Sequence, residues 1–361
     1  MPPNPELGVF YHAIGGFAAG SFYAPLKKIR GWAWESYWLM MGVAAWLVAP
    51  WIAACLTTPD LGGVIRESLA TERPAVLWSV FFGMLWGLGN LTFGLTVRYL
   101  GMALGYAMAL GFCMVFGSLL PPIVQGEGVE LISTGSGKTI LAGILVCLAG
   151  IAMCGIAGIR REREQSSGLT TVATAQVSVR KGSLVAMAAG ILSACFVFGL
   201  LKGEPIAEIS LTHGTDEIYK HNAVFIAVLA GGFLSNASSC LYLNLRNNSL
   251  GDYTRFNGRY PVNCLLAWVA GVTWYFQFFF YGMGESKLGK GYSSASWAIH
   301  MAFIVVFSNL WGIVFHEWRG TKPITRSLVW LGILLLIAST FVIGYGKSLA
   351  PAATPAAATP D

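Results

Sequence analysis

Two histidines stand inside long apolar runs, His12 in GVFYHAIGG and His300 in ASWAIHMAF. Imidazole has an unperturbed pKa of about 6.5, so small shifts let it take and release a proton at physiological pH. An ionisable side chain in such surroundings is costly and therefore a functional candidate by default. Both histidines are candidates for carrying a proton, with a structural hydrogen bond between helices as the plain alternative. Two amides, Asn90 and Gln277, lie close to Trp86 and Trp274, and Trp297 precedes His300 by three residues. An amide both donates and accepts, which suits a ligand rich in hydroxyls. Helix tethering and an interfacial aromatic belt are the competing readings, and the belt fits Trp86 least because it lies well inside its run. Carboxylates are scarce in the apolar runs. Glu35 follows Lys27, Lys28 and Arg30 closely enough for an ion-paired gate, Glu285 and Glu317 stand at run edges, and Lys202, Glu204 and Glu208 read as solvated.

The stretch STGSGKTILAG (133–143) has the letters of a phosphate-binding loop. That loop requires a glycine five residues before the Gly of Gly-Lys, a preceding strand and a following soluble helix. Here the glycine position holds Ile132, and the stretch leads directly into an apolar run. It reads as a glycine-rich turn ending in a helix cap, with Lys138 anchoring at an interface. No nucleotide is expected to bind.

These residues are positioned by spans. The chain is 55% hydrophobic and 11% charged, where soluble domains carry about 25% charged residues. It is read as an all-α integral membrane protein set in a lipid bilayer. The formal charge of +6 is spread in short clusters between apolar runs, which argues against a nucleic-acid partner. The cysteines stand singly, without metal-ligand or CxxC spacing, so no disulfide, metal or cofactor is expected. No basic residue precedes the first apolar run, so that run is expected to be retained rather than cleaved as a leader.

Ten spans are expected, at 8–24, 36–55, 76–97, 100–122, 139–158, 182–201, 222–244, 262–283, 293–315 and 327–346, the fourth ended by Pro121-Pro122. With the N-terminus outside, fifteen of the 23 basic residues fall in inner loops, which places both termini on the periplasmic side. WGLGNLTFGLTVRYLG (86–101) and WYFQFFFYGMGESKLG (274–289) share W-x7-G-x5-L-G at an offset of 188. Five spans per half reverse orientation, so the halves are read as inverted repeats, the arrangement of carriers that alternate access around a midplane site. The organisation is a first five-helix repeat at 1–158, a basic cytoplasmic linker at 159–181, a second repeat at 182–346 and a disordered tail at 347–361.

FYAPLKKIRGWAWE (22–35), WGLGN (86–90), RYLGM (98–102), LIST (131–134), WYFQFFFY (274–281), SWAIHM (296–301) and HEW (316–318) together resemble the L-rhamnose–proton symporter family, within the drug/metabolite transporter superfamily. The resemblance runs through nearly the whole chain. It implies import of a 6-deoxyhexose, L-rhamnose, with H+ across the bacterial inner membrane, and neither enzymatic activity nor a nucleotide. On that reading Asn90, Gln277, Trp86, Trp274 and Trp297 are candidate sugar contacts, His12 and His300 candidate proton carriers, and Lys27, Lys28 and Glu35 a candidate cytoplasmic gate. The residues themselves leave open a carrier of another small solute, or an uncoupled sugar facilitator.

Overall fold

Helix α1 (Pro5–Ser21) starts where Asn4 accepts a hydrogen bond from the Leu7 amide and Pro5 fills a position that needs no donor. The computed structural model describes residues 4–100, 102–166, 179–256, 258–289 and 293–349. The expected Ser/Thr-rich middle of the linker and nearly all of the tail lie outside the described residues. The other long helices are α2 (Trp34–Thr57), α3 (Arg73–Leu100), α4 (Met102–Val124), α5 (Gly135–Ser166), α6 (Val179–Lys202), α7 (Asn222–Arg246), α8 (Tyr260–Leu288), α9 (Ser293–Val314) and α10 (Pro323–Ser348). Among the described residues there is no strand, and nine helices are long and apolar enough to cross a membrane. The tenth long helix, α1, has 17 residues. Large apolar side chains such as Leu77, Phe81, Leu334 and Phe341 point outward, as a lipid-facing surface requires.

Two expectations are corrected by the helices. The fourth span does not stop at its prolines: α4 runs through Pro121 and Pro122 to Val124, and the Gln125 amide then bonds the Pro121 carbonyl at 3.0 Å. The two prolines leave the Gly117 and Ser118 carbonyls without the amide donors that other residues would supply, and the helix ends two residues later. Helix α5 continues past its apolar run into the expected linker, through Arg160–Ser166. Its Arg, Glu and Gln residues favour helix, and Glu164 is held by the Lys322 amide and the Thr325 hydroxyl, each at 2.7 Å. Glu204 is not simply solvated but pairs with Lys220 at 3.0 Å.

Packing follows from small residues. On α1, a Cβ at Gly15 would lie 3.0 Å from the Gln277 carbonyl and 3.1 Å from His300, and one at Gly16 would strike Phe303. The missing side chains let α1 settle between α8 and α9. In the same way α6 lies between α3 and α4, α7 packs on α3, α2 on α8, α5 on α4 and α10 on α9, while α5 pairs with α10 along its length. Within α2 the backbone widens into a π-type segment at Val43–Val48. Pro50 has no N–H to offer the Trp46 carbonyl, a standard cause of such widening.

Both described ends reach one side of the bundle. The Asn4 amide donates to the Lys287 carbonyl at 2.8 Å, and Lys347 Nζ to the Gly289 carbonyl at 3.4 Å. The far side carries the connections after α1, α5, α7 and α9.

Candidate functional site

Because α1 is wedged between α8 and α9, His12 is fully buried there. Its Nε2 shares a hydrogen bond of 2.8 Å with Ser296 Oγ. Its ring lies 5.7 Å from that of His300, centroid to centroid, and Tyr281 stands edge-on to both, at 5.3 and 5.2 Å. The two histidines, 288 residues apart in the chain, form one constellation with Tyr281 of α8 set against both rings.

Aromatic rings extend from that constellation across the bundle. Tyr281 meets Trp297 at 6.1 Å, and Trp297 stacks on Phe196 at 5.9 Å. Phe196 lies 4.9 Å from Phe278, which touches Trp86 at 5.6 Å and Trp274 at 6.1 Å; Trp86 in turn meets Trp46 at 6.1 Å. Gln277 is buried beside Gly15 and His300. Asn90 lies four residues beyond Trp86 on α3 and so shares its face. Of the sequence-derived contacts, Trp86, Trp274, Trp297, His12 and His300 join one connected centre, and Gln277 borders it.

The chemistry of this centre lies in its unused polar atoms. Asn90 Nδ2, Gln277 Nε2, Trp46 Nε1, Trp274 Nε1, His12 Nδ1 and His300 Nδ1 are all shut away from solvent without a hydrogen-bond partner in the protein. Leaving such a group unpaired costs roughly 1–3 kcal/mol each. Donors and switchable imidazole nitrogens set among indole and phenyl faces suit a molecule with hydroxyls on its rim and a C–H face. Trp297 Nε1 donates instead to the Cys113 carbonyl at 3.1 Å, so its indole acts as a wall. Among the described residues no group of three or more His, Cys, Asp or Glu side chains is placed to hold a metal ion.

The expected gate is rearranged. Lys27 pairs with Glu317 at 3.0 Å, and Arg161 reaches the other oxygen of that carboxylate at 3.1 Å. Burial acts to raise the Glu317 carboxyl, but Lys27 and Arg161 outweigh it and hold the group below the usual carboxylate range. Glu35 is not paired with Lys27 or Lys28. It is buried and accepts hydrogen bonds from Asn247 Nδ2 at 2.9 Å and Ser249 Oγ at 2.7 Å, while Lys28 is exposed. The hub is therefore Glu317, in the HEW string, which proximity in sequence to Lys27 could not reveal.

STGSGKT forms the start of α5. Thr134 Oγ1 accepts from the Gly137 amide at 2.9 Å, Ser136 Oγ donates to the Gly346 carbonyl at 2.6 Å, and a Cβ at Gly137 would strike the Leu131 backbone. Thr134 caps the helix, and Gly137 allows close packing on the preceding turn. Sequence reading missed Tyr281, Ser296, Phe196 and Phe278. Tyr281 was visible as the last letter of WYFQFFFY, but nothing local marked it from the other aromatics.

A polytopic helical bundle with an enclosed, polar-studded aromatic centre and ion-paired rims defines a membrane carrier for a small polar solute. Comparison with known proteins sharpens that class. Residues 2–349 match the family model for the L-rhamnose-proton symport protein (RhaT). The chain is 33% identical over 348 residues to an L-rhamnose-proton symporter of Cronobacter sakazakii and 34% identical over 348 residues to one of Citrobacter koseri, covering 95% of this chain and 98% of each relative. It is 32% identical over 346 residues to one of Mannheimia succiniciproducens, with the same coverage. The chain belongs to the L-rhamnose-proton symporter family.

Proposed function

We propose that this protein imports L-rhamnose together with a proton across the bacterial inner membrane, alternating access around the aromatic centre. The observation that carries the reading is the convergence of two buried histidines and several unpaired donors on one ring-lined site, in a chain matched to the symporter family over residues 2–349. Asn90, Gln277, Trp86, Trp274 and Trp297 contact the sugar. Its methyl group rests on phenyl and indole faces, and its hydroxyls pair the amide and indole donors. His12 and His300 exchange the proton.

Ten spans are proposed, with α1 as the first, since 17 residues reach the lower limit for crossing a bilayer. Both ends face the periplasm, in keeping with the basic residues of the far side. The inverted five-helix repeat is supported by the packing. Exchanging each of α1–α5 with its counterpart in α6–α10 turns the α1–α8, α1–α9, α2–α8 and α4–α5 contacts into α6–α3, α6–α4, α7–α3 and α9–α10, all of which occur. The Lys27–Glu317–Arg161 link closes the cytoplasmic side, in place of a Lys27–Glu35 pair. One proton crossing about 100 mV with a unit pH difference supplies about 3.7 kcal/mol, enough to concentrate a neutral sugar roughly 500-fold.

The test is external pH after adding L-rhamnose to liposomes that hold purified protein, with L-fucose, L-lyxose, L-mannose and D-glucose alongside. Alkalinisation by L-rhamnose, lost in His12→Ala or Gln277→Ala, supports the reading. Labelled L-rhamnose entering without a pH change makes the protein a facilitator. Neither signal assigns it another solute.

A further inference from the structure

Glu285 takes no part in the proposed sugar contacts, yet it is the carboxylate nearest to them in the chain order of α8. It lies in the last turn of that helix, four residues after Tyr281 and one after Gly284. A Cβ at Gly284 would lie 2.8 Å from His12 Nε2, so backbone adjacent to Glu285 abuts His12 directly. The Oε2 atom of Glu285 is enclosed and has no hydrogen-bond partner in the protein. An unpaired buried carboxylate oxygen is expensive and demands a proton, a cation or water.

Beside it is a small cavity of about 10 Å³, lined by Val197, Leu200, Leu201, Glu204, His221 and Glu285. That is room for a single water. Beyond the cavity stands an ion-paired group: Lys220 Nζ is 3.0 Å from Glu204 and 3.8 Å from Glu217, and His221 Nε2 is 3.6 Å from the other Glu204 oxygen. The Glu204 side chain keeps 39% exposure, so this group reaches solvent on the side of the chain ends. Lys347, from α10, also lies within electrostatic range of Glu285 and in turn near Glu127. From α1 the facing titratable group is His12, across Gly284, and from α9 it is His300, across Tyr281.

We infer that Glu285 is a proton-binding residue between the periplasmic solvent and the histidine pair, loaded through the Glu204–His221 cavity. This rests on the symport reading above. The carboxylate takes H+ onto Oε2 and becomes a neutral acid, which removes a buried charge and leaves Lys220 to Glu204. Deprotonated, Glu285 competes with Glu204 for the Lys220 ammonium. The ion pairs around the cavity thus differ between the two protonation states, and that difference is what links proton occupancy to the packing of α8 against its neighbours.

The experiment compares wild type, Glu285→Gln and Glu285→Asp in liposomes, reading both L-rhamnose-driven alkalinisation and counterflow of labelled L-rhamnose at equal pH. Wild type must alkalinise the medium; if it does not, the symport reading has failed and not this one. With coupling present in wild type, Glu285→Gln loses sugar-driven proton uptake but retains counterflow, and Glu285→Asp keeps both with a shifted pH midpoint. Coupled uptake in Glu285→Gln overturns the assignment. So does loss of both signals in Glu285→Gln together with a wild-type pH profile in Glu285→Asp, since that pattern marks a structural role.

Discussion

Gly284→Ala tests the central geometry with one added methyl. The new Cβ would sit 2.8, 2.9 and 2.9 Å from Nε2, Cδ2 and Cε1 of His12, where ordinary contact begins at 3.4 Å. The imidazole must therefore retreat by about 0.6 Å. It is confined by Ser296 at 2.8 Å and by the Tyr281 and His300 rings at 5.3 and 5.7 Å. Overpacking of this kind costs about 1–3 kcal/mol, and loss of the His12–Ser296 bond adds roughly 1 kcal/mol. The better helix propensity of alanine returns up to about 1 kcal/mol. The net expectation is a loss of about 1–3 kcal/mol in unfolding free energy, with sugar-driven proton uptake reduced. Gly62→Ala is the control, because a Cβ there meets nothing within 4 Å. Intrinsic tryptophan fluorescence in detergent reports unfolding and liposome pH reports transport. Adding Ser296→Ala to Gly284→Ala should cost less than the sum of the two, since both act on one bond. Wild-type stability and transport in Gly284→Ala, or full additivity with Ser296→Ala, would refute the argument.

The remaining expectations concern the rims and the false phosphate loop. Glu67 and Asp60, bonded to the two ring nitrogens of His213 at 2.8 and 2.9 Å, raise it above the ordinary imidazole value of 6.5. Its protonated form therefore stabilises the fold fully below the unfolded value, and the contribution disappears as pH rises through the raised folded value. His213→Gln should flatten the decline of thermal stability across that window, and an unchanged decline would count against the pairing. The lowered Glu317 carboxyl has the opposite sign: its link is present above the ordinary carboxylate range and is lost as pH falls through the folded value. Glu317→Gln should cost less than about 1 kcal/mol, as exposed pairs do, while amide exchange rises in 23–29 and 312–321; unchanged exchange would show that the link fastens nothing. Millimolar ATP with Mg2+ should leave the unfolding temperature unmoved in wild type, and a shift abolished by Lys138→Ala would restore the phosphate-loop reading.

Much of the architecture was legible in the chain because a bilayer imposes length and composition on each crossing segment. The long helices fall where the apolar runs stand, and the strings from FYAPLKKIRGWAWE to HEW already pointed to the family that the comparison shows. Segment ends were legible less well. α5 runs past residue 158 because Arg and Glu continue a helix as readily as apolar residues do, and it is their partners at 317–325 that fix the extension. His12, His300, Gln277 and the tryptophans could be named as candidates because polar and aromatic groups are conspicuous in apolar runs.

What no local pattern contained was pairing. Lys27 stands eight residues from Glu35 yet bonds Glu317, and Glu35 is satisfied by Asn247 and Ser249. Glu285 looked like an edge residue until α6, α7 and α10 brought Glu204, His221 and Lys347 around it. Composition and periodicity determine which stretches enter the bilayer and which residue types are anomalous there, since transfer free energy acts residue by residue. Which anomalies meet depends on how glycine-lined helices slide together, a property of surfaces joined across hundreds of residues, and only the tertiary structure decides it.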